Sequence, residues 1–232
     1  MAVPPVLVFD VNETLLDIEA LAPVFDDLFG DRRVLRDWFN QLVMYSMTAT
    51  LSGNYVDFAT LAGGVLRMLA DIQHADIGAD AVERLAASMR TMPAYPDSAE
   101  GLTQLRDNGF RLVTLTNSPH PPGQPTALEN SGLAEFFERR FTVDACHAFK
   151  PAPTVYRQVC EELGVAPADC LMVASHVWDL LGAHHVGFGT ALITRPGNAP
   201  LPVDALPQPD FVAADLRELA RSLPPPSPKG ID

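Results

Sequence analysis

The chain is poor in cysteine and in basic residues and has no long apolar run. Three cysteines, Cys146, Cys160 and Cys170, stand in 232 residues without any C-x-x-C spacing, so no disulfide framework is expected. They read as small buried apolar side chains in a reducing cytoplasm, although any free thiol is in principle a nucleophile. Sixteen Lys and Arg stand against 29 Asp and Glu, a net charge of -13 at pH 7. The basic residues are scattered, and the overall field repels a phosphate backbone, which argues against nucleic acid as a partner. That field also slows a small anionic substrate unless local donors offset it. No run of about 18 apolar residues is present to span a bilayer. No basic segment leads into an apolar one near Met1, so neither a membrane partner nor a signal peptide is expected. There is no internal repeat.

What the chain does have is 47% hydrophobic against 19% charged residues, enough for one sizeable core with a smaller insertion, or for two small domains. Apolar spacings of three and four predict helices over 21–29, 35–51 and 55–72, and a shorter one over 79–89. Strand signals are scarce there. Residues 18–93 therefore read as a helical cap inserted after a first strand, with 1–17 and 94–223 forming an α/β core. In that core, helices are expected over 98–108, 151–163 and 178–186. Strands are expected over 110–115, 170–174 and 190–193. Such alternation implies a Rossmann-like parallel sheet with right-handed crossovers. The Pro-rich end, 224–232, reads as a disordered tail.

The stretch Val6-Leu7-Val8-Phe9-Asp10-Val11-Asn12-Glu13-Thr14 is an apolar strand ending in an aspartate with a threonine four residues on. Open α/β sheets carry their chemistry at the carboxyl ends of strands, where backbone N–H groups point outward. Alone, the segment fits a buried strand and a turn equally well. Three further strand ends carry polar residues, however: Thr116-Asn117-Ser118, Lys150-Pro151 and Ser175-His176-Val177-Trp178-Asp179.

In this order the four segments resemble the motifs of the haloacid dehalogenase superfamily, over most of residues 6–220. The run Lys150-Pro151-Ala152-Pro153-Thr154-Val155-Tyr156 and the pair Trp178-Asp179 before Gly182-Ala183 resemble its L-2-haloacid dehalogenase branch. Phosphatases of the superfamily have an acid at position 12 that protonates the leaving alcohol. Asn12 cannot do so, and a halide needs no proton. Ser175 replaces an aspartate that helps to hold magnesium, so no metal or other cofactor is expected.

The resemblance implies that Asp10 attacks the halogen-bearing carbon and forms an ester that water then cleaves. Lys150 would keep Asp10 ionised and offset the accumulating negative charge. Thr14 and Thr116 would hydrogen-bond Asp10 or substrate oxygens. Asp179 is the first candidate to orient or deprotonate the water, and His176 is the second, at a position usually occupied by asparagine in the branch. Asn117 matches a halide contact, and Tyr156 a tyrosine near the substrate carboxylate. Val11, Asn12, Ser175 and Trp178 complete the expected substrate-binding set.

The departure is in the cap, where the branch places a halide-binding arginine. Here Trp38 or Phe39 stands in its place, within Arg36-Asp37-Trp38-Phe39-Asn40-Gln41-Leu42, and Arg36 is expected to face elsewhere. Either Trp38 N–H and His176 build the halide pocket or the substrate is unusual; Trp38, Phe39 and Tyr45 also read as plain cap core. The expected activity is metal-independent hydrolysis of a short 2-haloalkanoate by a possible homodimer. The alternatives are a magnesium-dependent phosphatase or phosphonatase-like hydrolase, and a binding protein with a degenerate site.

Overall fold

A computed structural model describes residues 4–226; of the proline-rich end, 227–232 lie outside them. Six parallel strands form the sheet among the described residues: β1 (Val6–Phe9), β2 (Arg111–Thr116), β3 (Arg139–Thr142), β4 (Cys170–Ala174), β5 (Gly189–Ile193) and β6 (Phe211–Ala213), in the order β3-β2-β1-β4-β5-β6. Helices cover both faces of a parallel sheet, so its central strands are apolar throughout, and every residue of β1 and β4 is buried. The strand order reverses between β1 and β4, where an open α/β sheet leaves a crevice at its carboxyl edge. Asp10 leaves β1 at that edge, with its N–H on Val173 O at 3.0 Å, and Ser175 leaves β4 beside it.

Between β1 and β2 come α1 (Ala22–Phe29), α2 (Val34–Leu51), α3 (Phe58–Gln73), α4 (Ala81–Arg90) and α5 (Ser98–Asp107). The first four pack on one another, and Phe25, Trp38 and Phe39 form an aromatic cluster among them. The outgoing and returning chains lie side by side. Asp17 N–H bonds Pro93 O and Tyr95 N–H bonds Leu15 O, both at 2.9 Å. Arg195 adds a buried clamp. Its guanidinium pairs with Asp97 at 2.6 Å, donates twice to Thr14 O at 2.9 and 3.1 Å, and lies over the Tyr95 ring.

After β2 follow α6 (Ala127–Asn130), α7 (Pro153–Leu163), α8 (Val177–His185) and α9 (Leu216–Ser222). The parallel sheet and its alternating helices agree with expectation. Patterning did not locate β3, β6 or α9. β3 is an edge strand reading Arg-Arg-Phe-Thr, β6 has three residues, and both lack the apolar run that marks a doubly covered strand. α9 lies close against α5, since a Cβ on Gly101 would come within 2.4 Å of Leu216 Cβ.

Candidate active site

Lys150 is buried at the centre of the strand edge, and its ammonium is shared. Nζ donates to Asp10 Oδ1 at 2.7 Å, to Asp179 Oδ2 at 2.6 Å and to Leu115 O at 3.0 Å. Thr14 Oγ1 donates to the other Asp10 oxygen at 2.8 Å and accepts from Ser175 N–H at 3.0 Å. The nucleophile candidate is thus held by both oxygens while its side chain keeps a small opening to solvent. Burial opposes the charge on Lys150, but the carboxylates of Asp10 and Asp179 outweigh it and raise the ammonium above its ordinary value. Burial, reinforced by the Asp10 charge, pushes Asp179 up despite Lys150.

The resemblance placed several residues at the substrate that the structure places behind the site. Tyr156 is fully buried and donates to Asp179 Oδ1 at 2.6 Å; burial pushes its phenol well above the ordinary value, so it stays a donor. It therefore supports Asp179 and makes no approach to a substrate carboxylate. Asp179 is itself 0% exposed, with one oxygen on Tyr156 and the other on Lys150, so it positions Lys150 and presents no free face to a water. Ser175 Oγ donates to Glu13 O at 3.0 Å and ties two loops together. Trp38 is 0% exposed and its indole N–H donates to Ala62 O at 3.0 Å, which makes it cap core and removes it from any halide pocket.

Other expected residues do converge near Asp10. Asn117 Oδ1 accepts the Lys150 backbone N–H at 3.1 Å, and Thr116 Oγ1 accepts from Ser118 N–H at the same distance. Asn12 Nδ2 donates to Ser118 Oγ at 3.1 Å. The backbone N–H groups of Val11 and Asn12 donate to no protein acceptor among the described residues, which leaves two donors beside the nucleophile for an anionic oxygen. The Trp178 ring lies 5.9 Å from Lys150 Nζ and stacks on His176.

Sequence reasoning missed Glu13. It is 1% exposed, takes the left-handed conformation at φ 63°, and binds Arg36 with one oxygen and His176 Nε2 with the other at 2.7 Å. Burial favours its protonated form, but His176 and Arg36 outweigh that and hold its carboxyl below the ordinary value. Being ionised, Glu13 accepts, so Nε2 carries a proton, and in the neutral imidazole Nδ1 is the acceptor. Nδ1 is buried and has no partner among the described residues. The imidazole sits between the rings of Phe39, at 5.8 Å, and Trp178, at 5.2 Å. Arg36 does not face elsewhere. It lies three residues before Phe39, on the same side of α2, and reaches Glu13 and Glu19. That i, i+3 spacing was the available signal. Of the two residues expected at the branch's arginine position, Trp38 is cap core and Phe39 meets the His176 ring.

The donors do not suit magnesium. An ammonium already bridges the two carboxylates, and the Ser175 hydroxyl is turned to Glu13 O, whereas magnesium wants near-octahedral oxygens. Beside Val11 and Asn12 a cavity of about 130 Å3 runs between α3, α4 and residues 116–128.

A family model described as haloacid dehalogenase-like hydrolase matches residues 4–187. (S)-2-Haloacid dehalogenase 4A of Burkholderia cepacia is 33% identical over 195 residues, which cover 83% of this chain and 84% of that one. Haloacetate dehalogenase H-2 of Moraxella sp. (strain B) is 28% identical over 210 residues, covering 88% and 91%. The solved L-2-haloacid dehalogenase of Xanthobacter autotrophicus with chloropropionic acid covalently bound superposes with a TM-score of 0.84 at 26% identity, over 94% of this chain and 97% of that one.

Proposed function

The chain belongs to the haloacid dehalogenase-like hydrolases, and from that premise we propose that it hydrolyses the carbon–halogen bond of 2-haloalkanoic acids of the haloacetate and 2-halopropionate type through an ester on Asp10, without a metal. The observation that carries this reading is the Lys150 ammonium shared between Asp10 and Asp179. It fills the place a metal would need and balances a carboxylate nucleophile.

In the first step an Asp10 oxygen attacks C2 from the side opposite the halogen. The new C–O bond forms as the C–X pair leaves with halide, and C2 inverts. The free N–H groups of Val11 and Asn12, with Asn117 and Thr116, hold the substrate carboxylate. In the second step a water attacks the carboxyl carbon of Asp10. His176 Nδ1 takes its proton and Lys150 and Thr14 stabilise the oxyanion; as the bond between the Asp10 carbonyl carbon and the ester oxygen breaks, that oxygen takes the proton from Nδ1 and leaves as a 2-hydroxy acid, and the restored Asp10 gives the remaining water proton to solvent. Water activation is assigned to His176 and not to Asp179, because Nδ1 is unpartnered and both Asp179 oxygens are engaged. The (S) substrate is assigned from the named relatives.

With Phe39 in the arginine's place, no guanidinium meets the leaving halide. Bromide should therefore leave faster than chloride, and both far faster than fluoride. The helices between residues 18 and 93 are assigned to a cap over Asp10. No described helix is long and apolar enough to cross a membrane. The free thiols Cys160 and Cys170 support a cytoplasmic setting. Exposed Met44, Tyr45 and Leu51 along α2 support pairing with a second copy. The test is halide release from (S)-2-chloropropionate in EDTA, by the parent and by Asp10→Asn. Release by the parent alone is expected, with a mass adduct on Asp10 in quenched samples. Equal release by the variant refutes the assignment.

A further inference from the structure

The cavity beside the nucleophile is larger than a two- or three-carbon acid needs, and its walls are of two kinds. Asn12, Thr116 and Ser118 gather at the end next to Asp10, while Phe58 and Ala62 of α3, Leu85 and Met89 of α4 and Leu128 of α6 make the rest apolar. His120 lines it too, and burial holds its imidazole below the ordinary value, so it adds no charge there at neutral pH. Arg90 lines the half-buried edge of α4. An acid held by its carboxylate at the polar end, with C2 in line with Asp10, directs its C2 substituent toward the apolar end.

We propose that this cavity is a side-chain pocket of the active site, and that the preferred substrates are 2-haloalkanoates carrying about four or five carbons on C2. An apolar cavity of about 150 Å3 holds benzene, and about 130 Å3 suits a butyl or pentyl group. This rests on the 2-haloacid reading above and extends it to longer acids. Burying each further methylene favours the transition-state complex about fourfold. 2-Bromohexanoate, three methylenes longer, should exceed 2-bromopropionate in kcat/KM by about sixtyfold, and 2-bromododecanoate, longer than the cavity, should fall back.

The experiment is bromide release from 2-bromoacetate, 2-bromopropionate, 2-bromohexanoate and 2-bromododecanoate by the parent chain. The hexanoate-to-propionate ratio is then measured in two pocket-filling variants, Ala86→Phe on α4 and Ala59→Phe on the exposed rim of α3. A maximum at hexanoate, with a ratio at least tenfold lower in a folded variant, supports the pocket. A flat or falling series in the parent overturns the inference and leaves the reaction standing. A ratio unmoved in both folded variants places the chain elsewhere and overturns it as well. Bromide from none of the acids overturns the reaction and the inference together.

Discussion

Lys150→Met is the substitution with the largest expected consequence, because it leaves Asp179 fully buried beside Asp10 with no cation between them. Three hydrogen bonds are lost, one of which leaves Leu115 O without its partner, at a cost of about 1–3 kcal/mol. The charge penalty has a ceiling set by solvent protons, since the site escapes it by protonating Asp179. Taking a proton at pH 7 onto a group with an ordinary value of 3.8 spans 3.2 pH units, and at about 1.36 kcal/mol each that is about 4.4 kcal/mol. A group raised in the folded state binds its proton more readily when folded, so the variant's deficit is greatest at neutral and alkaline pH. It shrinks by up to about 1.4 kcal/mol per unit as pH falls toward 3.8. Urea unfolding of parent and variant between pH 7.5 and 5 reads this slope, and halide release at pH 7.5 should fall about 10³-fold. A deficit that does not vary with pH, or a variant as active as the parent, refutes the description of Lys150 as a shared counter-charge.

Trp38→Phe removes the bond to Ala62 O within the cap and is expected to cost about 1–3 kcal/mol of stability while kcat for halide release stays within about twofold; a large loss of kcat in a stable variant returns the indole to the halide pocket. Gly182→Ala puts a Cβ at 2.7 Å from the Tyr156 hydroxyl and 2.8 Å from Pro151 O, so Tyr156 must leave Asp179. Thermal unfolding should show about 1–3 kcal/mol of destabilisation, with a lower kcat. Glu13→Gln removes a carboxylate held below its ordinary value of 4.5. Its contribution to stability is present above that value and lost as pH falls through the lower folded one, so the deficit should close in acid. In rapid-quench mass spectrometry the same variant should accumulate the Asp10 ester, because His176 loses the partner that fixes its tautomer. Unchanged ester turnover sinks that role.

The central sheet was legible because strands covered on both faces leave continuous apolar runs, as at Val6–Phe9 and Cys170–Ala174. The sequence motifs also brought Asp10, Thr14 and Lys150 to one strand edge: Asp10 and Thr14 follow β1, whose end is fixed by the sheet, while Lys150 lies on a loop well after β3 and was legible through its motif alone. Which way a side chain turns was not legible. Tyr156, Ser175 and Asp179 stand next to the site in sequence, yet the structure spends them on holding Lys150 and the loops. Glu13 stood in the first motif with no role assigned, since nothing local reports that its carboxylate is buried between a cap arginine and an imidazole contributed from position 176. The charged edge strand β3 and the three-residue β6 carry too few apolar positions to register as a pattern.

The strand order has a consequence in time. Asp10 leaves the ribosome well before the residues that complete its surroundings: β4 is one of its strand's two neighbours, Lys150 holds its carboxylate and Arg195 holds the loop that carries Thr14. At about 5–20 residues per second, synthesis takes roughly 10–40 s to travel from residue 10 to residue 195. Through that interval the cap helices, whose contacts are local, have everything they need to form, and β1 can pair with β2 on one side while its other edge stays open until β4 is made. The reactive centre is therefore assembled late although its nucleophile is made before the residues that hold it, and a chain released early carries the aspartate without the chemistry.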